Sequence, residues 1–126
     1  MEQPFCCPVC GAALTRQGGA LQCPARHSFD LAARGYAHLL PSGRMHTKAP
    51  GDNREMVAAR GAFLDGGFYE PFLQKLSQLV LEQTAGVPQP RVLDAGCGEG
   101  YYTAGVARAL RQAGRDACVA GYDISK

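Results

Sequence analysis

Two groups of residues in this chain have types and spacings that suit chemistry. The first is Cys7-Pro8-Val9-Cys10, followed after twelve residues by Cys23-Pro24-Ala25-Arg26-His27. Three thiolates and one imidazole suit a tetrahedral zinc ion. Each short knuckle turns the chain so that two ligands converge. The segment between the knuckles can return as a hairpin with Gly18-Gly19 at its tip. The predicted ligands are Cys7, Cys10, Cys23 and His27. Cys6 is a spare thiol: using it instead of Cys7 widens the first knuckle from two intervening residues to three, and the tighter knuckle is the better metal-binding turn. Four protein ligands leave no open position, so a structural zinc is expected. A segment of about 30 residues with few apolar side chains needs such a staple to hold a fold. The bland alternative is a set of unconnected thiols.

The second group is Arg91-Val92-Leu93-Asp94-Ala95-Gly96-Cys97-Gly98-Glu99-Gly100-Tyr101-Tyr102-Thr103. A short apolar run ends in an acid, and three glycines come at alternate positions before a helical pattern begins. This predicts a strand, a tight turn and a helix N-terminus, the first half of a βαβ unit. Glycine lets the backbone of such a turn approach a ligand closely. The dinucleotide fingerprint is G-x-G-x-x-G, whereas this chain has G-x-G-x-G with Asp94 two residues ahead of Gly96. The pattern resembles that of class I S-adenosylmethionine methyltransferases. Their cofactor carries a sulfonium rather than a pyrophosphate, so acids beside the turn make electrostatic sense. Asp123 closes the next predicted strand, Cys118-Val119-Ala120-Gly121-Tyr122, where an acid is expected to hold the ribose. Asp94, Gly96, Gly98 and Asp123 are therefore candidate cofactor-binding residues. A glycine-rich turn that binds nothing is the competing reading.

Elements must position these groups. The chain has 126 residues, 46% of them hydrophobic, with a formal net charge of +2. That length allows one ordinary domain or two small ones, and so small a charge does not by itself argue a partner. The charge is uneven: through Arg60 there are seven Lys/Arg against four Asp/Glu, which hints at an anionic partner for the first half. No stretch approaches the apolar length of a membrane span, and no signal pattern opens the chain. A reducing cytoplasm is expected, where paired cysteines point to metal before disulfide.

The organisation expected is a zinc-binding domain over 1–34, a connecting segment over 35–52 and an α/β part over 53–126. Phe29, Leu31, Tyr36, Leu39 and Leu40 are candidates to pack the knuckles onto the α/β part. His38 and His46 read as surface or packing residues. Pro41 to Gly51 reads as a loop whose Arg44, His46 and Lys48 are candidate phosphate contacts or plain solvated charges. A first helix is predicted to start at a capping box of Asp52 and Glu55, with Met56, Ala59, Phe63 and Leu64 inward and Gly66-Gly67 as its stop. A second has Pro71 in its first turn and Phe72, Leu76, Leu79 and Val80 inward. A third runs from Thr103 to Ala113 with Val106, Ala107 and Leu110 inward and Gly114 as its stop. Cys97 and Cys118 read as small buried residues.

The ordered motifs carry a further resemblance. They are Cys-Pro-x-Cys at 7–10, Cys-Pro-x-Arg-His-x-Phe-Asp at 23–30, Gly-Tyr-x-x-Leu-Leu-Pro at 35–41, Pro-Gly-Asp at 50–52, Phe-Leu-Asp-x-Gly-x-Tyr-x-Pro at 63–71 and Asp-x-Gly-Cys-Gly-Glu-Gly-Tyr-Tyr-Thr at 94–103. Together they resemble the N-terminal part of the RlmA family, bacterial 23S rRNA guanine-N1 methyltransferases with an N-terminal zinc domain. The resemblance implies zinc on Cys7, Cys10, Cys23 and His27, and S-adenosylmethionine contacts at Tyr69, Gly98 and Glu99. It implies a 23S rRNA hairpin as partner, and leaves the catalytic base and any homodimer undecided. A fold of that family needs about seven strands, and only two are visible after the zinc module. The expected class is therefore a zinc ribbon or knuckle joined to the first βαβ part of a class I methyltransferase Rossmann-like fold, truncated and with little activity alone. The alternatives kept open are a non-catalytic zinc module that binds RNA or protein, and a nucleotide-cofactor oxidoreductase.

Overall fold

The computed structural model describes residues 3–125. The chain divides into two compact units, one running to Lys48 and the other starting at Ala49.

The first unit is a small antiparallel sheet of β1 (Thr15–Gln17), β2 (Ala20–Gln22) and β3 (Ser28–Asp30), in the order β1-β2-β3. The hairpin expected at Gly18-Gly19 is present: Gln17 faces Ala20, and Gly18 takes φ +60. β3 has no alternation in the sequence. It forms because the second knuckle reverses the chain and lays Phe29 opposite Leu21. The core is Cys7, Leu14, Leu21 and Cys23, with Phe29, Leu31, Ala37 and Leu39 packed against it. Two of those four core residues are thiols, so the apolar centre of this unit grows directly out of its metal-ligand cluster. Phe29, Leu31 and Leu39 thus pack onto the ribbon itself, whereas Tyr36 is largely exposed.

The second unit contains α1 (Arg54–Asp65), α2 (Glu70–Gln83), β4 (Arg91–Ala95), α3 (Tyr101–Gln112) and β5 (Cys118–Tyr122). β4 and β5 pair in parallel, Arg91 opposite Cys118 through Ala95 opposite Tyr122. Parallel neighbours need a crossover, and α3 supplies it, making a βαβ unit. Its N-cap is Gly100 at φ +94, and Gly114 at φ +71 ends it. Val106 and Leu110 are buried on its inner face, as their spacing predicts, although the helix begins two residues earlier than expected, at Tyr101.

Two details of the preceding helices correct the sequence reading. The N-cap of α1 is Asn53, whose side chain accepts a bond from Met56 N–H at 2.9 Å, not Asp52. Asn and Asp cap about equally well, and Asp52 is taken up by an ion pair with Arg60 at 2.6 Å. In α2 the buried residues are Leu73 and Ser77, while Phe72 and Leu79 are about half exposed. The inward stripe is rotated by one residue because Leu73 packs on Gly105 of α3: a Cβ at Gly105 would lie 2.6 Å from Leu73 Cδ2. A side chain at 105 would force the Leu73 methyls to shift.

Candidate functional site

Each knuckle is closed by its own backbone. Gly11 N–H donates to Cys7 O at 2.8 Å, and Arg26 N–H donates to Cys23 O at 2.9 Å. Arg26 takes φ +66, the sole non-glycine residue at positive φ among those described. These turns bring the Sγ atoms of Cys7, Cys10 and Cys23 and a ring nitrogen of His27 within 4.8 Å of one another. Cys6 Sγ is not part of the cluster and is exposed.

The spacing can be tested against a metal. Zinc–sulfur bonds of about 2.3 Å and zinc–nitrogen bonds of about 2.0 Å at tetrahedral angles put sulfurs about 3.8 Å apart and sulfur about 3.5 Å from nitrogen. Cys10 Sγ and Cys23 Sγ are 3.7 Å apart, and His27 Nδ1 is 3.6 Å from Cys7 Sγ and 3.3 Å from Cys23 Sγ. The donor set fits zinc. Burial pushes the Cys7 thiol up, but the amides of Cys10 and Val9 and the neighbouring thiols outweigh it and bring the thiol down to about 7. A thiolate is the form that a metal takes.

The glycine turn is held from three sides. Gly96 and Cys97 N–H both donate to Tyr122 O, at 2.8 and 3.0 Å. Gly98 N–H donates to Asp123 Oδ2 at 2.8 Å. Thr103 Oγ1 donates to Asp94 Oδ2 at 2.6 Å, tying the end of β4 to the first turn of α3. Gly96, Gly98 and Gly100 take φ +74, +56 and +94, and a Cβ on any of them would meet nothing within 4 Å. The turn therefore needs glycine for its backbone shape and leaves open space above it. No side chain caps α3, so the helix start presents free N–H groups there.

The structure brings Asp94, Gly96, Gly98 and Asp123 to the end of the parallel pair. Both carboxylates act on Cys97: burial first, then the charges of Asp94 and Asp123, push its thiol up. Glu99 turns the other way, its carboxylate lying against Gly61 of α1. It borders a cavity of about 430 Å³ with Leu64, Glu70, Tyr101 and Arg108, a space that Asp94, Asp123 and Tyr69 do not line. Tyr69 precedes α2 and packs edge-on to Phe63, 5.7 Å between ring centroids.

Sequence reasoning misses Ser125, Gly61 and Gly121 as residues that shape this region, and it gives Asp52 a capping role in place of its contacts with Arg60 and Ser125. Gly121 faces Asp94 in the sheet register, and a Cβ there would lie 2.9 Å from Cys97 Sγ. Nothing local in the sequence signals these contacts, since each joins segments far apart in the chain.

These features define an α/β chain with an N-terminal zinc-ribbon-like Cys3His cluster and a glycine turn held between two acids. Residues 5–48 match the family model described as RlmA, N-terminal. Three curated relatives match most of the chain. A 23S rRNA (guanine(748)-N(1))-methyltransferase of Streptomyces fradiae is 41% identical over 79% of this chain and 35% of its own length. A provisional 23S rRNA (guanine-N(1)-)-methyltransferase of Micromonospora griseorubida is 39% identical over 82% of this chain and 40% of its own. One from Bacillus subtilis, named in the same provisional way, is 30% identical over 97% and 43%. The chain thus resembles the N-terminal part of the RlmA family, and it spans about two fifths of the length of these relatives. No helix among the described residues is long and apolar enough to cross a membrane.

Proposed function

We propose that this chain is the zinc-bearing, cofactor-seating part of an S-adenosylmethionine-dependent methyltransferase that modifies guanine N1 of 23S rRNA in the cytoplasm. In this reading residues 1–34 are the zinc-binding domain, 35–52 connect, and 53–126 begin a class I Rossmann-like domain. Ala37 and Leu39 tie the first part of the connector back to the ribbon core. The observation that carries the reading is the glycine turn with open space above it, bonded through Gly98 N–H to the acid that ends the next strand.

S-adenosylmethionine, when bound, supplies a methyl on a cationic sulfur, so that a carbon–sulfur bond breaks as a carbon–nitrogen bond forms. The residues present fit such a ligand. Asp94 and Asp123 place negative charge beside the turn, which suits a sulfonium and an ammonium. Asp123 is also an acceptor for ribose hydroxyls. Gly96 and Gly98 let the backbone come close, and Glu99 and Tyr69 are the further contacts that the family resemblance assigns. Guanine N1 carries a proton that must leave, so a base or a stabilised O6 is required. No described side chain is assigned that role. N1 lies on the Watson–Crick edge, so the target guanine must be unpaired or flipped out. The ribbon does not take part in the transfer; its role is to hold an RNA hairpin through shape and phosphates.

Calorimetry on the zinc-loaded chain tests the cofactor half of the reading. S-adenosylmethionine is expected to bind and NAD is not, with Asp123→Ala abolishing the heat. Binding of NAD in preference would overturn it. For the RNA half, Cys23→Ser is expected to weaken binding of a 23S hairpin without abolishing S-adenosylmethionine affinity.

A further inference from the structure

Pro50-Gly51-Asp52 precedes α1, yet it meets the chain just beyond β5. Asp52 N–H donates to Ser125 Oγ at 2.9 Å, across 73 positions of sequence. Gly51 stands at φ +77, and a Cβ there would lie 2.9 Å from Ser125 N and collide with Ser125 Oγ. Ser125 N–H donates to Asp123 Oδ1 at 2.7 Å, while Gly98 N–H takes Asp123 Oδ2 at 2.8 Å. Asp52 is anchored from its other side by Arg60 of α1. A continuous path of contacts thus runs from α1 through the Gly51-Asp52 turn to the Asp123 carboxylate.

A carboxylate has about four acceptor sites, two on each oxygen. The amides of Ser125 and Gly98 occupy one site on each oxygen of Asp123 and fix its plane. Each oxygen keeps acceptor capacity beyond that one amide bond. That is the acceptor pattern for two adjacent hydroxyl groups. We infer that the Gly51-Asp52 turn and Ser125 are positioning elements that hold Asp123 to recognise the vicinal diol of a ribonucleoside. Gly51 and Ser125 do not touch the ligand; they act through the acid. The inference rests on the proposed cofactor reading and adds what sets its selectivity for ribose.

The test compares S-adenosylhomocysteine with its 2′-deoxy analogue by calorimetry, on the zinc-loaded chain and on Gly51→Ala and Ser125→Ala. Wild type is expected to prefer the ribose form by about tenfold, the size of one lost hydrogen bond to a charged acceptor. Both variants are expected to shrink that preference to about twofold with unchanged zinc content and circular dichroism. Should Gly51→Ala fail to fold, Ser125→Ala decides alone. Variants that keep the full preference, or that lose affinity for both ligands equally, would overturn the inference and leave the cofactor reading standing. Wild type that binds both ligands alike would do the same. Wild type that binds neither would overturn the cofactor reading and the inference with it.

Discussion

Gly98 N–H and Asp123 Oδ2 lie 2.8 Å apart, 25 positions apart in sequence, and this bond fastens the glycine turn to the end of the neighbouring strand. Asp123 also accepts from Ser125 N–H. A bond to a charged acceptor contributes about 1.5–3 kcal/mol. Asp123→Ala is therefore expected to lower the stability of the second unit by about 2–3 kcal/mol, read as a shift in its urea midpoint.

The same carboxylate gives a pH dependence. The amide of Ser125 holds the Asp123 carboxyl below its ordinary value against an opposing effect of burial, aided by the amide of Gly98 and the charge of Arg60. A depressed folded-state value means that the unfolded chain binds the proton more readily. The stabilisation is complete above the unfolded value, about 3.9, and is lost as pH falls through the lower folded value. Acid titration of the urea midpoint is expected to fall more steeply below about pH 4 in wild type than in Asp123→Asn. Parallel curves would refute the link.

Zinc removal is expected to melt the first unit, because its core of Cys7, Leu14, Leu21 and Cys23 is small and half of it is ligand. One zinc per chain should be released by a chelator, with loss of the dispersed amide NMR signals of residues 5–48. Cys10→Ser should do the same, whereas Cys6→Ser should keep one zinc per chain. Loss of zinc from Cys6→Ser would refute the ligand set.

Cys97 lies beside Asp94 and Asp123, with its thiol raised by burial and then by both charges. Iodoacetamide at pH 7 should modify exposed Cys6 well before Cys97, as read by mass spectrometry. Asp123→Asn should speed the reaction at Cys97 by removing one of the opposing charges.

Helix capping and helix packing can each be tested by substitution. Asn53→Ala should cost about 1 kcal/mol through the lost cap. Asp52→Ala loses its partly exposed ion pair with Arg60, a smaller effect of about 0–1 kcal/mol. Gly105→Ala should cost about 1–3 kcal/mol by overpacking against Leu73. In a double-mutant cycle Leu73→Ala should recover part of that cost.

Sequence alone determined the features whose partners are close in the chain. The two knuckles place their ligands three and four residues apart, and a local turn suffices to bring each pair together. The hairpin at Gly18-Gly19, the glycine turn after Asp94 and the stops at Gly66-Gly67 and Gly114 are legible for the same reason: each is a backbone demand met on the spot. Tertiary structure decided everything that depended on which distant segment arrives. Leu73 rather than Phe72 points inward because Gly105 offers it room. Asn53 rather than Asp52 caps α1 because Arg60 claims the acid. Ser125 reaches the turn before α1 because Gly51 is bare enough to let the two segments meet. A composition of apolar and polar residues states which side chains can be buried. It does not state what comes close enough to bury them, and that is set by packing between segments tens of residues apart.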